Sequence, residues 1–124
     1  RHGAGTAVAG IIAANQRNGV GIAGVMKQVT LLPIRYIDNN GQTSAGAMAA
    51  GLDAALKLKP HVIFLQTAQI QLGGQSQESE LIDAELGLLR GYLDKARDAK
   101  IPIVVGAGDD MSQFGSGELD KLLK

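Results

Sequence analysis

The sequence contains no cysteine and no tryptophan, and aromatic residues make up only 3% of its 124 positions. The absence of cysteine excludes disulfides, thiol catalysis and zinc–thiolate sites. Basic and acidic side chains number 12 each, so the formal net charge is zero. Nucleic-acid binding is not expected, because attraction to phosphates requires a clustered excess of positive charge. Membrane insertion is not expected either, since no apolar run approaches the ~18 residues that span a bilayer.

The residues that are abundant indicate a globular domain with a tightly packed core. Hydrophobic residues make up 45% of the chain and charged residues 19%, which is typical of a folded protein. With so few aromatics, the core must be built from alanine, valine, isoleucine and leucine. The length fits one domain, and we expect residues 1–124 to form a single partial domain. Because the chain opens on Arg1, we also expect that an upstream segment of the parent protein precedes it.

Helical and strand-like segments alternate along the chain. Apolar residues at three- and four-residue spacing predict helices over residues 43–58 and 79–100. Small apolar residues predict a helix over residues 6–14, capped by Thr6. Apolar runs predict three strands, over residues 29–37, 61–65 and 101–105, although the first contains Pro33. Residues 38–41 predict a turn, residues 67–77 a loop and residues 118–124 a last helix.

This alternation predicts an α/β fold. Continuous apolar strands separated by helices favour a three-layer structure, with a mostly parallel sheet and helices on both faces in a Rossmann-like topology. The segment Gly19–Gly24 matches the dinucleotide pattern G-x-G-x-x-G literally. That pattern requires a strand before the glycines and a helix after them. Here the glycines follow a helix and lead into a predicted strand, so a loop with tight backbone packing is the better interpretation.

A second glycine-rich run carries a family resemblance. Residues 3–10 read GAGTAVAG and resemble the signature Gly-His-Gly-Thr-His-Val-Ala-Gly of the subtilisin-like serine proteases, with Ala4 and Ala7 in place of both histidines. Further segments resemble that family in the same order, up to about Asp110. They are IIAAN, NGVGIAGV, LPIR with DNNG, HVI and IVVGAGD. The resemblance implies the amino-terminal part of an incomplete subtilisin-like domain.

The departures from the family pattern fall at the residues that carry its chemistry. The resemblance places the catalytic general base at Ala4, which cannot accept a proton, and the oxyanion-hole asparagine at Asp109, whose ionised carboxylate would repel an oxyanion. The strand that lines the substrate cleft carries Phe64 and Gln66 without the family's Ser-x-Gly. The motif of the nucleophilic serine and the strand of the catalytic aspartate are not found between residues 1 and 124.

The resemblance also implies a candidate calcium loop. In it the side chain of Asn18 and the carbonyls of Gln16, Val20 and Ile22 would be the ligands, because calcium prefers oxygen. No carboxylate lies in this loop, and Arg17 adds a positive charge, so an ordinary turn is the competing interpretation. No other cofactor is implied.

Other titratable residues have simpler interpretations. His2 would be the base only if two residues had been inserted after it, and His61 is expected to open a strand. The pairs Asp109–Asp110 and Glu78/Glu80 are expected in polar loops or helix starts, where solvated carboxylates are ordinary.

The sequence therefore predicts a subtilisin-like endopeptidase fragment that is inactive as given, a pseudoprotease with a scaffold or peptide-binding role. Its expected partners are a peptide or protein segment and the remainder of the parent chain, and its expected location is extracytoplasmic. Two alternatives stay open. One is a Rossmann-like domain that binds a small ligand near residues 106–110, and the other is an active serine endopeptidase whose triad is completed outside this segment.

Overall fold

A computed structural model describes residues 3–66, 69–71 and 79–105. Of these, residues 69–71 and 79–83 are described by their backbone alone. The elements are the helices α1 (Ala4–Ala13), α2 (Ala45–Lys57) and α3 (Ser79–Asp98), and the strands β1 (Gln42–Ser44), β2 (Ile63–Leu65), β3 (Gln69–Gln71) and β4 (Ile103–Val105). They fall into two compact units, residues 1–33 and 34–124, which are described separately. Helices and parallel strands confirm the α/β class.

In the first unit, the chain after α1 folds back onto the carboxyl end of that helix. Gly24, Val25 and Met26 donate backbone hydrogen bonds of 2.8–2.9 Å to the carbonyls of Ala14, Ile11 and Ile12. These bonds satisfy carbonyls that have no partner at the end of a helix. A Cβ at Gly24 would lie 2.4 Å from the backbone nitrogen of Ala14, so only glycine fits there. The glycine pattern over 19–24 therefore lies in a loop, as predicted, and its tight backbone packing is found at Gly24.

The second unit is organised around α2. The Ser44 hydroxyl caps this helix by accepting a 3.1 Å hydrogen bond from the Ala47 N–H, which satisfies a free donor of the first turn. One face of α2 is buried, and it carries Ala45, Met48, Ala49, Leu52 and Ala55. Three residues of the predicted stripe, Met48, Leu52 and Ala55, lie on that face, and the fourth, Leu56, is half-buried against the core. The apolar spacing of α2 was therefore a sound guide to its packing.

Helix α3 completes the core of this unit. Leu86, Leu89 and Ala96 are buried and Leu93 packs against the same core, which confirms four positions of the predicted stripe. The fifth predicted position, Ile82, has a side chain outside the described set. Alanines along α2 leave little bulk between the helices, so α2 and α3 pack against each other closely.

The strands form two separate parallel pairs among the described residues. β2 pairs with β4, matching Ile63 to Ile103 and Leu65 to Val105, and β1 pairs with β3. Along β2 the side chains alternate, with Ile63 buried in the core and Phe64 exposed on the opposite face. The β2–α3–β4 connection is the crossover that a parallel pair requires. The parallel pairing was predicted correctly, but the described strands do not form one continuous sheet.

Three sequence predictions were wrong in detail. Residues 29–37 form no strand, because Pro33 cannot donate to a ladder. Thr6 does not cap α1, which begins earlier, after Gly3 in a left-handed conformation with φ of 61°. The predicted loop over 67–77 contains β3, since its pairing with the distant β1 leaves no local signal. The predicted helix over 118–124 lies outside the described residues.

The buried face of α3 generates a test of this packing. Replacing Leu89, which is 1% exposed, by alanine removes buried apolar atoms and leaves a cavity. We expect the free energy of unfolding to fall by about 3 kcal/mol, the usual loss at a buried leucine. Equilibrium urea unfolding followed by circular dichroism measures it. The matched control is Leu88→Ala on the same helix, where the side chain is 47% exposed and a change of under about 0.5 kcal/mol is expected. Equal losses in the two variants would contradict this packing.

Candidate functional site

The position that the motifs assign to the general base is the first residue of a helix. α1 begins at Ala4, directly after Gly3, and no side chain caps this end. Ala4 is exposed, and it presents a methyl group that can neither accept nor donate a proton. His2, the alternative base, lies outside the described residues. The described part of this site therefore contains no general base.

The predicted cleft strand is β2, and its carboxyl end is held by a tyrosine. The Tyr36 hydroxyl donates a hydrogen bond to the backbone carbonyl of Gln66, directly after β2. Burial raises the pKa of Tyr36 above its ordinary value of 10.0. Because this contact joins residues 30 positions apart, no sequence signal pointed to it.

Tyr36 is itself held by the segment that leads into α2. Thr43 is buried, and its hydroxyl donates a 2.6 Å hydrogen bond to the carbonyl of Tyr36. Between these residues, the Asp38 carboxylate accepts hydrogen bonds from the N–H groups of Asn40 and Gln42, at 2.8 and 2.9 Å. These hydrogen bonds hold the pKa of Asp38 below its ordinary value, and the bond from Gln42 contributes most. The predicted turn over 38–41 is confirmed, and it connects Tyr36 to the segment that leads into α2.

The candidate calcium loop uses some of its oxygen atoms internally. The Asn18 side-chain oxygen accepts a 3.2 Å hydrogen bond from the N–H of Val20, as in an Asx turn. The Gln16 amide donates to the carbonyl of Gly24, which belongs to the closure of α1. Val20 and Ile22 are exposed. The loop offers only neutral oxygen atoms, one of which already accepts a hydrogen bond, and Arg17 adds a positive charge. These features are unfavourable for calcium, so calcium binding stays a prediction.

The remaining candidate residues belong to different units or lie outside the described residues. Phe64 and Gln66 belong to the second unit and Ala4 to the first. Asp109, Asp110 and Glu78 lie outside the described residues, as does the side chain of Glu80. His61 is exposed and precedes β2, which begins two residues later than predicted. Within the described ranges, no group of three or more histidine, aspartate or glutamate side chains could hold a metal ion.

Comparison with known proteins identifies the family. The profile of the Subtilase family matches residues 1–120. The chain belongs to the subtilase family. This confirms the prediction made from the motifs, and the family's α/β fold agrees with the two parallel strand pairs.

One relative of this subtilase chain is the "Thermostable alkaline protease" of Halalkalibacterium halodurans, which is 33% identical over 108 residues. The match covers 87% of this chain and 26% of the relative, so the chain spans about a quarter of the relative's length. No solved structure gives a significant match. None of the helices in the described ranges has the length and apolar character needed to cross a membrane.

The contact between Tyr36 and Gln66 generates a prediction at alkaline pH. Because the folded state raises the pKa of Tyr36, the unfolded chain loses this proton first as the pH rises past 10.0. The contribution of Tyr36 to stability is therefore complete below that pH and is lost above it. We expect Tyr36→Phe to lower the free energy of unfolding by about 1 kcal/mol at pH 7. Above pH 10, we also expect the free energy of unfolding of this variant to decrease less than that of the unsubstituted protein.

Urea unfolding at a series of pH values measures both effects. Tyr92→Phe is the matched control, because the Tyr92 ring also packs against the core whereas no hydrogen bond of its hydroxyl is found within the described ranges. The role of Tyr36 would be refuted if the two variants gave the same stability at pH 7 and the same alkaline profile.

Proposed function

We propose that this chain is the amino-terminal part of a subtilase domain that has lost catalysis and serves as a peptide-binding scaffold. The observation that carries the proposal is Ala4 at the first position of α1. Nucleophilic serine catalysis requires a base that takes the serine proton, and a methyl group cannot do so. A serine elsewhere in the parent chain would keep its proton at neutral pH and would be a poor nucleophile.

Two further positions support the loss of catalysis. Asp109 stands where the family signature has the oxyanion-hole asparagine, and a carboxylate there would oppose the negative charge of the tetrahedral intermediate. Phe64 lies in β2 and Gln66 directly after it, in a cleft segment that lacks the family's Ser-x-Gly. Losses at Ala4, Gln66 and Asp109 together favour natural decay of the site, since an engineered knock-out would change one of them. Reactivation would then require more than one substitution.

A peptide-binding role is supported by β2. Among the described residues this strand pairs with β4 alone, and we propose that its other edge receives an extended peptide. Such a peptide would be held through backbone hydrogen bonds, as in other cases of strand addition. The contact from Tyr36 to the Gln66 carbonyl fixes the carboxyl end of this edge, which lowers the entropy lost on binding.

The exposed apolar side chains support a partial domain. Ile11 and Val25 in the first unit are exposed, as are Phe64 and Val104, which are paired in register on β2 and β4. Exposed apolar patches of this kind are typical of surfaces that another segment covers. We propose that the remainder of the parent chain covers them, in a three-layer domain with helices on both faces of the sheet. The secreted location of many family members supports an extracytoplasmic protein.

The proposal predicts that the full-length protein binds extended peptides without cleaving them. Fluorescence anisotropy with a panel of labelled peptides measures binding, and mass spectrometry of the recovered peptides measures cleavage. We expect saturable binding with every peptide recovered intact. We also expect that Ala4→His alone restores no hydrolysis, because Asp109 and Gln66 stay unchanged.

Two controls separate the parts of this proposal. A peptide with alternate N-methylated amides keeps its side chains but loses half of its backbone donors, so it should bind at least tenfold more weakly. Equal affinity for the methylated peptide would refute binding at a strand edge. Turnover by the unsubstituted protein that a serine-directed reagent abolishes would refute the loss of catalysis, and it would favour a triad completed elsewhere in the parent chain.

A further inference from the structure

The second unit contains a cavity at the end of β2 opposite to Gln66. It lies where α2 and α3 end and where the chain enters β2 and β4, and its volume is about 590 Å³. Gln66, by contrast, follows the carboxyl end of β2. The cavity is therefore separate from the proposed cleft, and a ligand bound in it would not depend on the loss of catalysis.

Two lysines that line the cavity have the same uncommon backbone conformation. Lys59 has a φ of 49° and Lys100 a φ of 57°, and they are the only non-glycine residues with positive φ in the described ranges. Each follows a helix and donates its N–H to a carbonyl three residues earlier, Leu56 for Lys59 and Arg97 for Lys100. Glycine is the usual residue at this position, because it adopts positive φ without steric cost. The chain therefore has lysine twice where glycine would be less strained.

The cavity carries an excess of positive charge. Four lysines line it against a single aspartate, which leaves three uncompensated charges when His61 is neutral. Lys57 is paired with that aspartate, Asp53, at 2.6 Å, and Lys95 lies 4.5 Å above the ring of Tyr92. Lys59 and Lys100 form no ion pair with any residue in the described ranges. Both residues are exposed, so their ammonium groups can meet a ligand.

The helix dipole does not account for these two lysines. Cations near a helix carboxyl end are favourable, but the last turns already contain Lys57 in α2 and Lys95 and Arg97 in α3. The effect also decreases beyond the last turn. Lys59 and Lys100 lie outside the helices, in strained conformations, and they face the same cavity. A ligand that contacts both lysines explains why lysine occurs at both of these positions.

The residues that line the cavity indicate the class of ligand that it binds. Leu56, Pro60 and Ile101 are half-buried and supply an apolar floor beneath the lysines. Among the described residues that line the cavity there is no arginine and no helix amino terminus, and these are the groups that typically cradle phosphate. The carbonyl ends of two helices border it instead, and they disfavour a compact anion held deep inside. We propose that this cavity is a docking site for an acidic peptide segment, whose carboxylates meet Lys59 and Lys100 and whose apolar residue packs on the floor.

The test measures binding of a fluorescein-labelled peptide of alternating glutamate and leucine to the purified full-length protein by anisotropy. The double variant K59G/K100G should bind about tenfold more weakly, as expected for two exposed charge contacts. It should also unfold at the same temperature or higher, because glycine relieves the strain. The variant K59R/K100R keeps both charges and should retain the affinity. The control R17A/K27A removes two positive charges from the first unit and should leave binding unchanged.

Four results with these peptides, variants and salt concentrations would overturn the proposal. They are equal binding by K59G/K100G, an equal loss in R17A/K27A, equal affinity for a peptide of alternating lysine and leucine, and an affinity independent of salt between ~0.05 and ~0.5 M, where exposed charge contacts are screened. Displacement of the peptide by millimolar inorganic phosphate at constant ionic strength would also contradict it, since the site would then be one for a compact anion.

Discussion

The close packing of α2 against α3 is the contact on which the rest of the second unit depends. Leu52 and Leu89 are almost fully buried in one cluster with Ile63 of β2. With few aromatics in the sequence, this core is filled by aliphatic side chains, and the alanines of α2 let the second helix approach. A crossover helix packed in this way holds β2 and β4 parallel and in register.

This packing has consequences at both ends of the strands. At the carboxyl end of β2, Tyr36 reaches the carbonyl of Gln66 and fixes the edge that we propose for peptide binding. At the amino ends, the carboxyl ends of α2 and α3 bring Lys59 and Lys100 to one cavity. One apolar cluster thus supports two polar surfaces with different chemistry. Neither surface requires a catalytic base, so both are compatible with the loss of catalysis that we propose.

The parts of the structure that the sequence predicts well are those with local causes. Apolar spacing identified the buried faces of α2 and α3, and the Asp38–Gly41 turn followed from residues that tolerate turn geometry. Strand β3 and the contact from Tyr36 to Gln66 depend on partners far away in the chain, which a local pattern cannot encode. The strand expected over residues 29–37 from their apolar composition does not form, because Pro33 cannot donate a hydrogen bond to a neighbouring strand. The two lysines at the cavity were missed, although each follows a helix end and is followed within two residues by proline.

Membership of the subtilase family does not by itself determine activity, because one fold supports several functions. The proposed loss of catalysis depends on whether any serine of the full-length protein is activated. Labelling by a fluorophosphonate probe reports this directly, since the probe reacts with a serine whose proton a base removes. The absence of a base at Ala4 predicts labelling no stronger than in the heat-denatured protein. Stoichiometric labelling of the folded protein, abolished by a competing serine-directed inhibitor, would contradict it.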